Sequence, residues 1–509
     1  MPIPVYDIAI IGGGINGCGI ARDAAGRGLA VHLCEQGDLA SAASSASTKL
    51  LHGGTRHLEH SGFRSVREAL AERDILLATA PHIVRQVRVV QPLGVGLRPR
   101  FVTHAGAFVY DRLGGGRFIR PTRPIDLKAE RAGRLLKREY HSGFEYSDCL
   151  VDDSRLVVLN AMDAKAQGAT IHTRTRCVAA RRANGYWRLL LESSETGERQ
   201  QIAARALVNA TGPWVAHVLE KIVKGDARVF VRLVKGSHIV TRRLYDHDDA
   251  YVFRNDDGRI IFTIPFERDF TLIGATDADY RGDPGLATPD ETEIDYLCAA
   301  ASRYFREPVT REAIRFVYCG VRPLYDDGGS KRREATRSFA LDLDGSDSAT
   351  PLLSVVSGKI MTYRRLAEHA LARLSPFLRM SEPWTALVPL PGGGFEVGRA
   401  GDIIRALRAA YPFLSGSNAE RLVNAYGTRA ATILTGARRP EDLGRNFGYD
   451  LTEAEVVYLM AEEWALTSRD VLWRRSHLGL YFNAAQTETL DEWMAEARLR
   501  GSASAAPPN

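Results

Sequence analysis

The sequence predicts an α/β domain with a parallel sheet, a mostly antiparallel β region and a helix-rich C-terminal domain. Three observations support this. An apolar strand, Asp7–Ile11, leads directly into a glycine-rich turn and a small-residue helix. Strand-like segments dominate residues 230–350, and helical patterns dominate residues 396–500. A chain of 509 residues, 45% of them hydrophobic, is long enough for about two to four domains.

The glycine-rich turn has the pattern Gly12-x-Gly14-x-x-Gly17. In a strand–turn–helix unit, the first glycine makes the turn, the second lets the backbone approach a pyrophosphate, and the third lets the helix close on the strand. A second strand, Ala30–Cys34, ends at Glu35, where an acidic residue would bind a ribose hydroxyl. The sequence therefore predicts a Rossmann-like dinucleotide-binding domain, and its place at the N-terminus favours FAD over NAD.

Composition excludes several classes of protein. A net charge of +6 is mild for this length, and no nucleic-acid-binding motif is present, so no nucleic-acid partner is predicted. The six cysteines are scattered without a C-x-x-C pair, so no metal site is predicted. This pattern is typical of free thiols in a protein of the reducing cytoplasm. The sequence contains no run of eighteen apolar residues, so no membrane-spanning helix is expected, whereas peripheral attachment stays open.

Local patterns predict the remaining elements. Helices are expected at 65–78, from Asp152 to Gln167 with Asp153 or Ser154 as cap, at 291–303 and at 366–374. Strands are expected at 231–241, 251–253, 260–265 and 271–276, with a hairpin turn at Asn184-Gly185. The prolines and glycines of 388–395 predict a linker.

Two segments each allow two interpretations. The Ser/Ala-rich run 40–49 has the composition of a flexible linker, but it follows the carboxyl end of a strand, which favours a cofactor wall. The stretch Leu97–Arg120 carries arginines interleaved with Phe101, Phe108, Tyr110 and Phe118. It is either an ordinary solvated face or a membrane-surface patch.

Nine segments, in order over nearly the whole chain, resemble the FAD-dependent, quinone-linked glycerol-3-phosphate dehydrogenases. They are IGGGINGCGIARDAAGRGL, SSASTKLLHGGTRHLEH, GFEYSDCLVDDSRL, LVNATGPWV, KGSHIV, IGATD, GVRPL, SGKIMTYRRLAEHAL and DVLWRRS. Several of these segments are weak when taken singly, but together and in this order they are specific to the family.

The resemblance implies a D-amino-acid-oxidase-like fold in three parts. A discontinuous FAD-binding domain would comprise 1–85, 145–228 and 350–385. A β-rich substrate-binding domain would comprise 86–144 and 229–349, and a helical domain 396–500. The resemblance also implies an enzyme in the cytoplasm, attached peripherally to the inner face of the cell membrane. Its partners would be glycerol 3-phosphate and a quinone, and its oligomeric state is open, a homodimer included.

By the same resemblance, two groups of residues would hold FAD. One side would be formed by Gly12, Gly14, Gly17, Glu35, Ser45, Ser47, Lys49, Leu50 and Gly54. The other would be formed by Val178, Gly212, Gly358 and Lys359. The chain departs from the family pattern at His57, where relatives have tyrosine, and at Met361, where a hydroxyl is lost beside the expected flavin edge.

The chemistry of the implied substrate selects the catalytic candidates. A phosphate dianion calls for guanidinium groups that make paired hydrogen bonds, and Arg322 and Arg337 match the family's positions, with Arg56 nearby. Arg322 is expected in a constrained turn after an apolar strand, because it follows Gly320-Val321 and precedes a proline.

Oxidation of a secondary alcohol also needs a base with a pKa near neutrality. His238 is the first candidate for this base and His57 the second. Lys359, at the start of a helix, would stabilise negative charge on the reduced flavin. Two alternatives remain: an oxidase that passes electrons to O2 and releases H2O2, and a non-catalytic flavin-binding scaffold.

Overall fold

The computed structural model describes residues 3–51, 62–93, 120–224, 229–325, 339–345 and 350–504. Its strands are β1 (Val5–Ile11), β2 (Val31–Cys34), β3 (Leu50–Leu51), β4 (Val84–Pro92), β5 (Arg123–Asp126), β6 (Ser142–Val151), β7 (Thr170–His172), β8 (Thr175–Ala183), β9 (Tyr186–Ser193), β10 (Arg199–Asn209), β11 (Val231–Arg242), β12 (Ala250–Arg254), β13 (Ile260–Phe266), β14 (Phe270–Gly274), β15 (Ala278–Tyr280), β16 (Ile314–Tyr325), β17 (Ala340–Asp344), β18 (Leu352–Val356), β19 (Asn446–Gly448) and β20 (Leu451–Thr452).

The helices fall mainly at the two ends of the chain. They are α1 (Ile15–Gly26), α2 (Gly62–Thr79), α3 (Asp153–Ala166), α4 (Val215–His217), α5 (Glu291–Ser302), α6 (Tyr363–Leu374), α7 (Ala400–Ala410), α8 (Gly416–Tyr426), α9 (Ala430–Ile433), α10 (Glu453–Glu463), α11 (Ser468–Arg474) and α12 (Ala484–Ser504). Within the described ranges, no helix is long and apolar enough to cross a bilayer.

The first sheet carries the glycine-rich turn and has the strand order β17-β18-β10-β1-β2-β7. Strands β18, β10, β1, β2 and β7 run parallel, while β17 and the β8–β9 hairpin join them antiparallel. Helices α1, α3 and α6 pack together in one apolar core of this domain. A parallel sheet with both faces covered needs continuous apolar strands, as Ile8–Ile11 and Ala206–Val208 are.

The second sheet has the order β15-β11-β14-β13-β12-β4-β6-β3, with β16 paired to β11 and β5 to β6. Its pairs are antiparallel except β4 with β12. One face packs on α5 through Ile239, Tyr251, Phe253 and Leu297. Residues 143–151 of β6 pair with β4, so residues 145–151 belong to this sheet although we expected them in the FAD-binding domain. Strand β17 falls in the range expected for the substrate-binding domain, but it pairs with β18 in the first sheet.

The C-terminal helices surround their own core. Leu407, Leu422, Leu459, Val471 and Leu490 come from five different helices and are all buried there. The linker predicted at 388–395 contains neither helix nor strand and joins this bundle to α6.

The helix and strand predictions are largely confirmed. The cap predicted for helix α3 is wrong: the N-cap is Asp152, one residue before the earlier of the two predicted caps, and its carboxylate accepts a hydrogen bond from the Arg155 amide. The Asn184-Gly185 turn has positive φ at both residues, as a tight hairpin turn requires.

Candidate cofactor and substrate site

A cavity of about 1310 Å³ opens where the carboxyl ends of β1, β2, β10 and β18 face the second sheet. Ligands of parallel α/β sheets bind at this end of the strands. The volume exceeds the roughly 300–1,000 Å³ of an ordinary ligand pocket, so it has room for a dinucleotide together with a small substrate.

One side of the cavity, the glycine wall, consists of Gly12, Gly14–Asn16, Glu35, and residues 40–44 and 46–48. Gly12 has a φ of +114°, a conformation that only glycine adopts readily. A Cβ on Gly17 would lie 1.9 Å from the Gly12 carbonyl oxygen, so Gly17 acts by letting α1 close on β1. Gly17 itself does not line the cavity.

The start of α1 fits the pyrophosphate of FAD. Gly14 is the N-cap and provides no side-chain cap, which leaves the positive end of the helix facing the cavity. The Oδ1 atom of Asn16 is buried and has no hydrogen-bond partner among the described residues, while its Nδ2 donates to the Ser357 carbonyl. The Ile15 amide of the first turn already donates to the Ser44 hydroxyl at 3.0 Å, and a bound polar group would satisfy the Asn16 atom.

The carboxylate of Glu35 organises the glycine wall. Its two oxygens accept hydrogen bonds from the amides of Gly13 at 2.7 Å and Gly37 at 2.8 Å. Burial raises the pKa of Glu35, and these two amide bonds oppose the rise. Each oxygen has another lone pair, so the carboxylate can still accept a ribose hydroxyl from the cavity it lines.

The Ser/Ala-rich run forms cavity wall, which supports its interpretation as a cofactor wall. Residues 40–44 and 46–48 line the cavity, as does Leu50. Ser45 and Lys49, both expected to hold FAD, do not line it. The Lys49 ammonium is buried 2.6 Å from Asp153, so this lysine ties the run to α3.

The other predicted FAD-binding positions that the structure describes converge on the same cavity. They are Val178, Gly212, Gly358 and Lys359, and Ser47 completes the set on the glycine wall. Lys359 is the N-cap of a short turn, Ile360–Thr362, that leads into α6, close to the position we predicted. Met361 lines the cavity with 2% of its surface exposed.

The opposite side, the strand wall, is the face of β11 and β16 that carries His238 and Arg322. Antiparallel pairing places His238 opposite Tyr318, and Val234 opposite Arg322. Val234 lies four residues before His238 and therefore on the same face of β11, and paired residues share a face. His238 and Arg322 thus both project to the cavity. Arg322 lies inside a twelve-residue strand, so the prediction of a turn there is wrong. Pro323 is accommodated at the end of this strand.

Glycines occupy the middle of the strand wall. Gly236 pairs with Gly320 between His238 and Arg322. A Cβ on Gly236 would lie 3.1 Å from Nη2 of Arg322, so the guanidinium folds back over β11 toward His238. A Cβ on Gly320 would meet Cβ of Ala46 at 3.0 Å, so this glycine lets the glycine wall approach.

His238 is held tightly in its place. Its ring stacks on Tyr318 with centroids 4.8 Å apart, and Nε2 lies 3.0 Å from the Thr48 hydroxyl. Burial, together with the positive charges of Arg322 and Lys49, lowers the pKa of His238 to about 3. The imidazole is therefore neutral at physiological pH, which is the form a base requires, although its pKa lies below the near-neutral value expected.

Sequence reasoning did not single out Thr48, Tyr318 or Asp277. Thr48 belongs to the run predicted as cofactor wall, and Asp277, 3.5 Å from Arg322, ends a segment that resembles the family. Tyr318 carries no signal in the sequence, because only the register of β16 on β11 brings it to His238. Gly54, Arg56, His57, Arg337 and residues 97–119 lie outside the described residues.

Comparison with known proteins agrees with this geometry. Residues 7–364 match the family described as FAD-dependent oxidoreductases, and residues 384–498 match the C-terminal domain of alpha-glycerophosphate oxidase. The two-sheet fold and the glycine wall thus define the class, and FAD is the cofactor.

Individual relatives define the family. The chain is 47% identical to a glycerol-3-phosphate dehydrogenase of Pseudomonas aeruginosa, covering 96% of this chain and 95% of that one. It is 46% identical to a D-erythritol 1-phosphate dehydrogenase of Brucella abortus, covering 97% and 98%. The structure of a Bacillus halodurans glycerol-3-phosphate dehydrogenase complexed with FAD aligns with a TM-score of 0.76 at 27% identity, covering 97% of this chain and 90% of that one. The chain belongs to the FAD-dependent glycerol-3-phosphate dehydrogenase family.

Proposed function

We propose that this enzyme oxidises sn-glycerol 3-phosphate to dihydroxyacetone phosphate and passes the electrons to a membrane quinone. The spacing on the strand wall carries the first part. The Arg322 guanidinium lies over Gly236, two strand positions from His238, which corresponds to about 7 Å along the strand. This distance suits a three-carbon ester whose phosphate and secondary hydroxyl are bound by two different groups.

Arg322 would bind the phosphate. A guanidinium offers two parallel N–H donors to a phosphate, and half of this side chain is exposed to the cavity. By resemblance, Arg337 and Arg56 would complete the phosphate site, with His57 near the substrate. The dianion would also offset the positive charge of Arg322, one of the two cations that lower the pKa of His238.

His238 would then remove the hydroxyl proton. It is neutral before the substrate binds, and the partial loss of a depressing charge makes it a stronger base when the substrate is present. FAD, when bound, supplies the hydride acceptor. Lys359, on the cavity wall ahead of α6, would stabilise the negative charge that develops there.

Anaerobic spectra test this proposal. Addition of glycerol 3-phosphate should bleach the flavin absorbance, and D-erythritol 1-phosphate, the substrate named for one relative, is the matched comparison. Faster bleaching by D-erythritol 1-phosphate would identify this four-carbon ester as the substrate in place of glycerol 3-phosphate. Absence of bleaching by either ester would favour a non-catalytic flavin-binding scaffold.

The electron acceptor needs a separate measurement. Quinone-analogue reduction and peroxide release should be compared under air with the same substrate. We expect the quinone rate to dominate. Stoichiometric peroxide with slow quinone reduction would identify a glycerol-3-phosphate oxidase instead.

The membrane link rests on residues Leu97–Arg120, which combine arginines with aromatic side chains. Each basic residue near an anionic surface contributes about 1 kcal/mol, and salt screens this attraction. Neutralising Arg98, Arg100, Arg112 and Arg117 together should lower flotation with anionic vesicles and leave dye-coupled activity intact. Equal flotation of wild type and variant would make this segment an ordinary solvated face, and a peripheral cytoplasmic enzyme would need another docking surface.

A further inference from the structure

The C-terminal segment Asp470–Ser476 resembles the family, but none of the functions above uses it. It comprises most of α11 and the two residues that follow it. Among the described residues, nothing beyond Met361 lines the cavity, so this segment does not touch the cofactor space. Its charged side chains nevertheless lie buried against the first sheet.

Arg475 and Arg474 converge on one carboxylate. The two terminal nitrogens of Arg475 each donate to a different oxygen of Asp38 at 2.9 Å, and Nε of Arg474 donates to Asp38 at 2.5 Å. The side chains of Asp38 and Arg475 have no exposed surface. Burial by itself would raise the pKa of Asp38, but the two arginines hold it below its ordinary value, so this carboxylate stays ionised.

A second ion pair joins the same helix to a neighbouring loop. Asp470 accepts two hydrogen bonds from Nη2 of Arg174, at 2.7 and 2.8 Å, and is itself buried. The backbone amide of Arg174 donates to the Gly37 carbonyl at 2.9 Å. We call Asp38, Arg174, Asp470, Arg474 and Arg475 the arginine–carboxylate cluster.

The cluster lies directly behind two segments of the cavity wall. Asp38 follows the lining residues Glu35 and Gln36 and precedes the lining residue Ala40. Arg174 immediately precedes the lining segment 175–178. The Thr175 amide donates to the Glu35 carbonyl at 2.7 Å, so the two segments are joined where the Glu35 carboxylate faces the cavity.

We propose that the arginine–carboxylate cluster positions the Glu35 loop for FAD, so that the C-terminal domain determines how tightly the cofactor is held. Without the bidentate pair, Asp38 would keep only the single hydrogen bond from Arg474, which fixes the loop less firmly, and the Glu35 carboxylate would lose its defined position relative to the Gly13 amide. Arg475 is thus a positioning residue. This inference is independent of which substrate or electron acceptor the enzyme uses.

The geometry explains why a planar cation is needed. Arg475 holds both oxygens of Asp38, and its Nη2 also donates to the Glu463 carbonyl at 2.6 Å, which connects the loop to α10. A lysine keeps the charge but cannot make the paired bonds. Removing one partner of a buried pair leaves an uncompensated charge, whereas an apolar contact of the same size would impose less directional order.

The test uses purified holoenzyme and compares Arg475→Lys with Arg421→Lys. Arg421 is a matched control, because it makes the same bidentate contact with buried Glu455, at 2.7 Å to each oxygen, inside the C-terminal domain. Released FAD is measured by its fluorescence after serial dilution. Flavin release and tryptophan emission are then followed together during heating.

Arg475→Lys should raise the FAD dissociation constant by about tenfold, the lower end of what loss of an outer-shell partner costs at metal sites. Flavin should be released several degrees before the protein unfolds. Arg421→Lys should lower both temperatures together and leave the dissociation constant unchanged. Equal FAD affinity in the two variants, with equal loss of thermal stability, would overturn the proposal.

Arg174→Gln keeps the test decisive if Arg475→Lys does not fold. Arg174 is 19% exposed, and Asp470 retains Arg474 as a partner after this substitution, so the variant is a milder change. FAD affinity should fall in this variant, as in Arg475→Lys, but by a smaller factor. Wild-type FAD affinity in Arg174→Gln would contradict a positioning role for the cluster.

Discussion

The two walls of the cavity are built in opposite ways. The glycine wall comes from one continuous stretch, residues 12–48, whose turn, helix start and second strand are neighbours in sequence. The strand wall brings together residues 234–238 and 320–322 through the pairing of β11 with β16. A wall of the first kind depends on local backbone geometry, whereas a wall of the second kind depends on sheet register.

The largest expected effect is at the glycine wall. In Gly17→Ala the new Cβ would lie 1.9 Å from the Gly12 carbonyl oxygen, so the helix and the turn must separate. We expect almost complete loss of FAD, measured as the flavin-to-protein absorbance ratio, with a destabilisation of about 1–3 kcal/mol or more.

Gly236→Ala is the counterpart of this substitution on the strand wall. Its Cβ would lie 3.1 Å from the movable end of Arg322 and 3.2 Å from the Thr276 carbonyl oxygen, both on the side of the strand wall, so FAD content should remain normal while KM rises. If Gly236→Ala also lost FAD, the two walls would not be separable in this way.

The second-largest effect is expected from a substitution that changes the strand wall alone. Arg322→Lys should raise the substrate KM by about 10- to 100-fold, because a charge-assisted bond is worth about 1.5–3 kcal/mol and an ammonium cannot form the paired contact. Steady-state kinetics measure KM, and FAD content should stay unchanged. Kinetics like those of wild type would remove Arg322 from the phosphate site.

A smaller effect is expected from Glu35→Ala. The ribose would lose an acceptor and the Gly13 and Gly37 amides would lose their partner, which weakens FAD retention by about 1–3 kcal/mol. The flavin-to-protein ratio after dialysis measures retention, and Glu35→Gln, which keeps one acceptor oxygen, should lose less. A full FAD complement in Glu35→Ala would assign this residue another role.

The smallest effect concerns pH. The pKa of His238 is lowered to about 3, so it binds a proton only well below physiological pH and stays in its basic form above pH 5. The fall of kcat/KM toward acid should therefore follow the second ionisation of the substrate phosphate, near pH 6, which controls its pairing with Arg322.

A phosphonate analogue with a higher second pKa should move this acid limb upward by the same amount. If the limb stayed in place, a group on the free enzyme would set it, and His238 or His57 would be examined first by substitution with asparagine.

The sequence by itself determined the glycine wall and the class of enzyme. Gly12, Gly14, Gly17 and Glu35 act through spacing within one strand–turn–helix–strand unit, and such local geometry follows from chain connectivity. The spacing of apolar residues likewise located most helices and strands, because the buried face of a helix repeats every 3.6 residues and that of a strand every 2 residues.

Only the tertiary structure decided the strand wall and the use of the charged residues. The turn expected at Arg322 is a strand, because pairing with β11 overrides the local preference of a Gly-Val-Arg-Pro sequence. Lys49 binds Asp153 instead of lining the cavity, and Arg475 reaches Asp38 across more than 400 residues of chain. The partner of a charge is set by long-range packing, and no local pattern in the sequence encodes it.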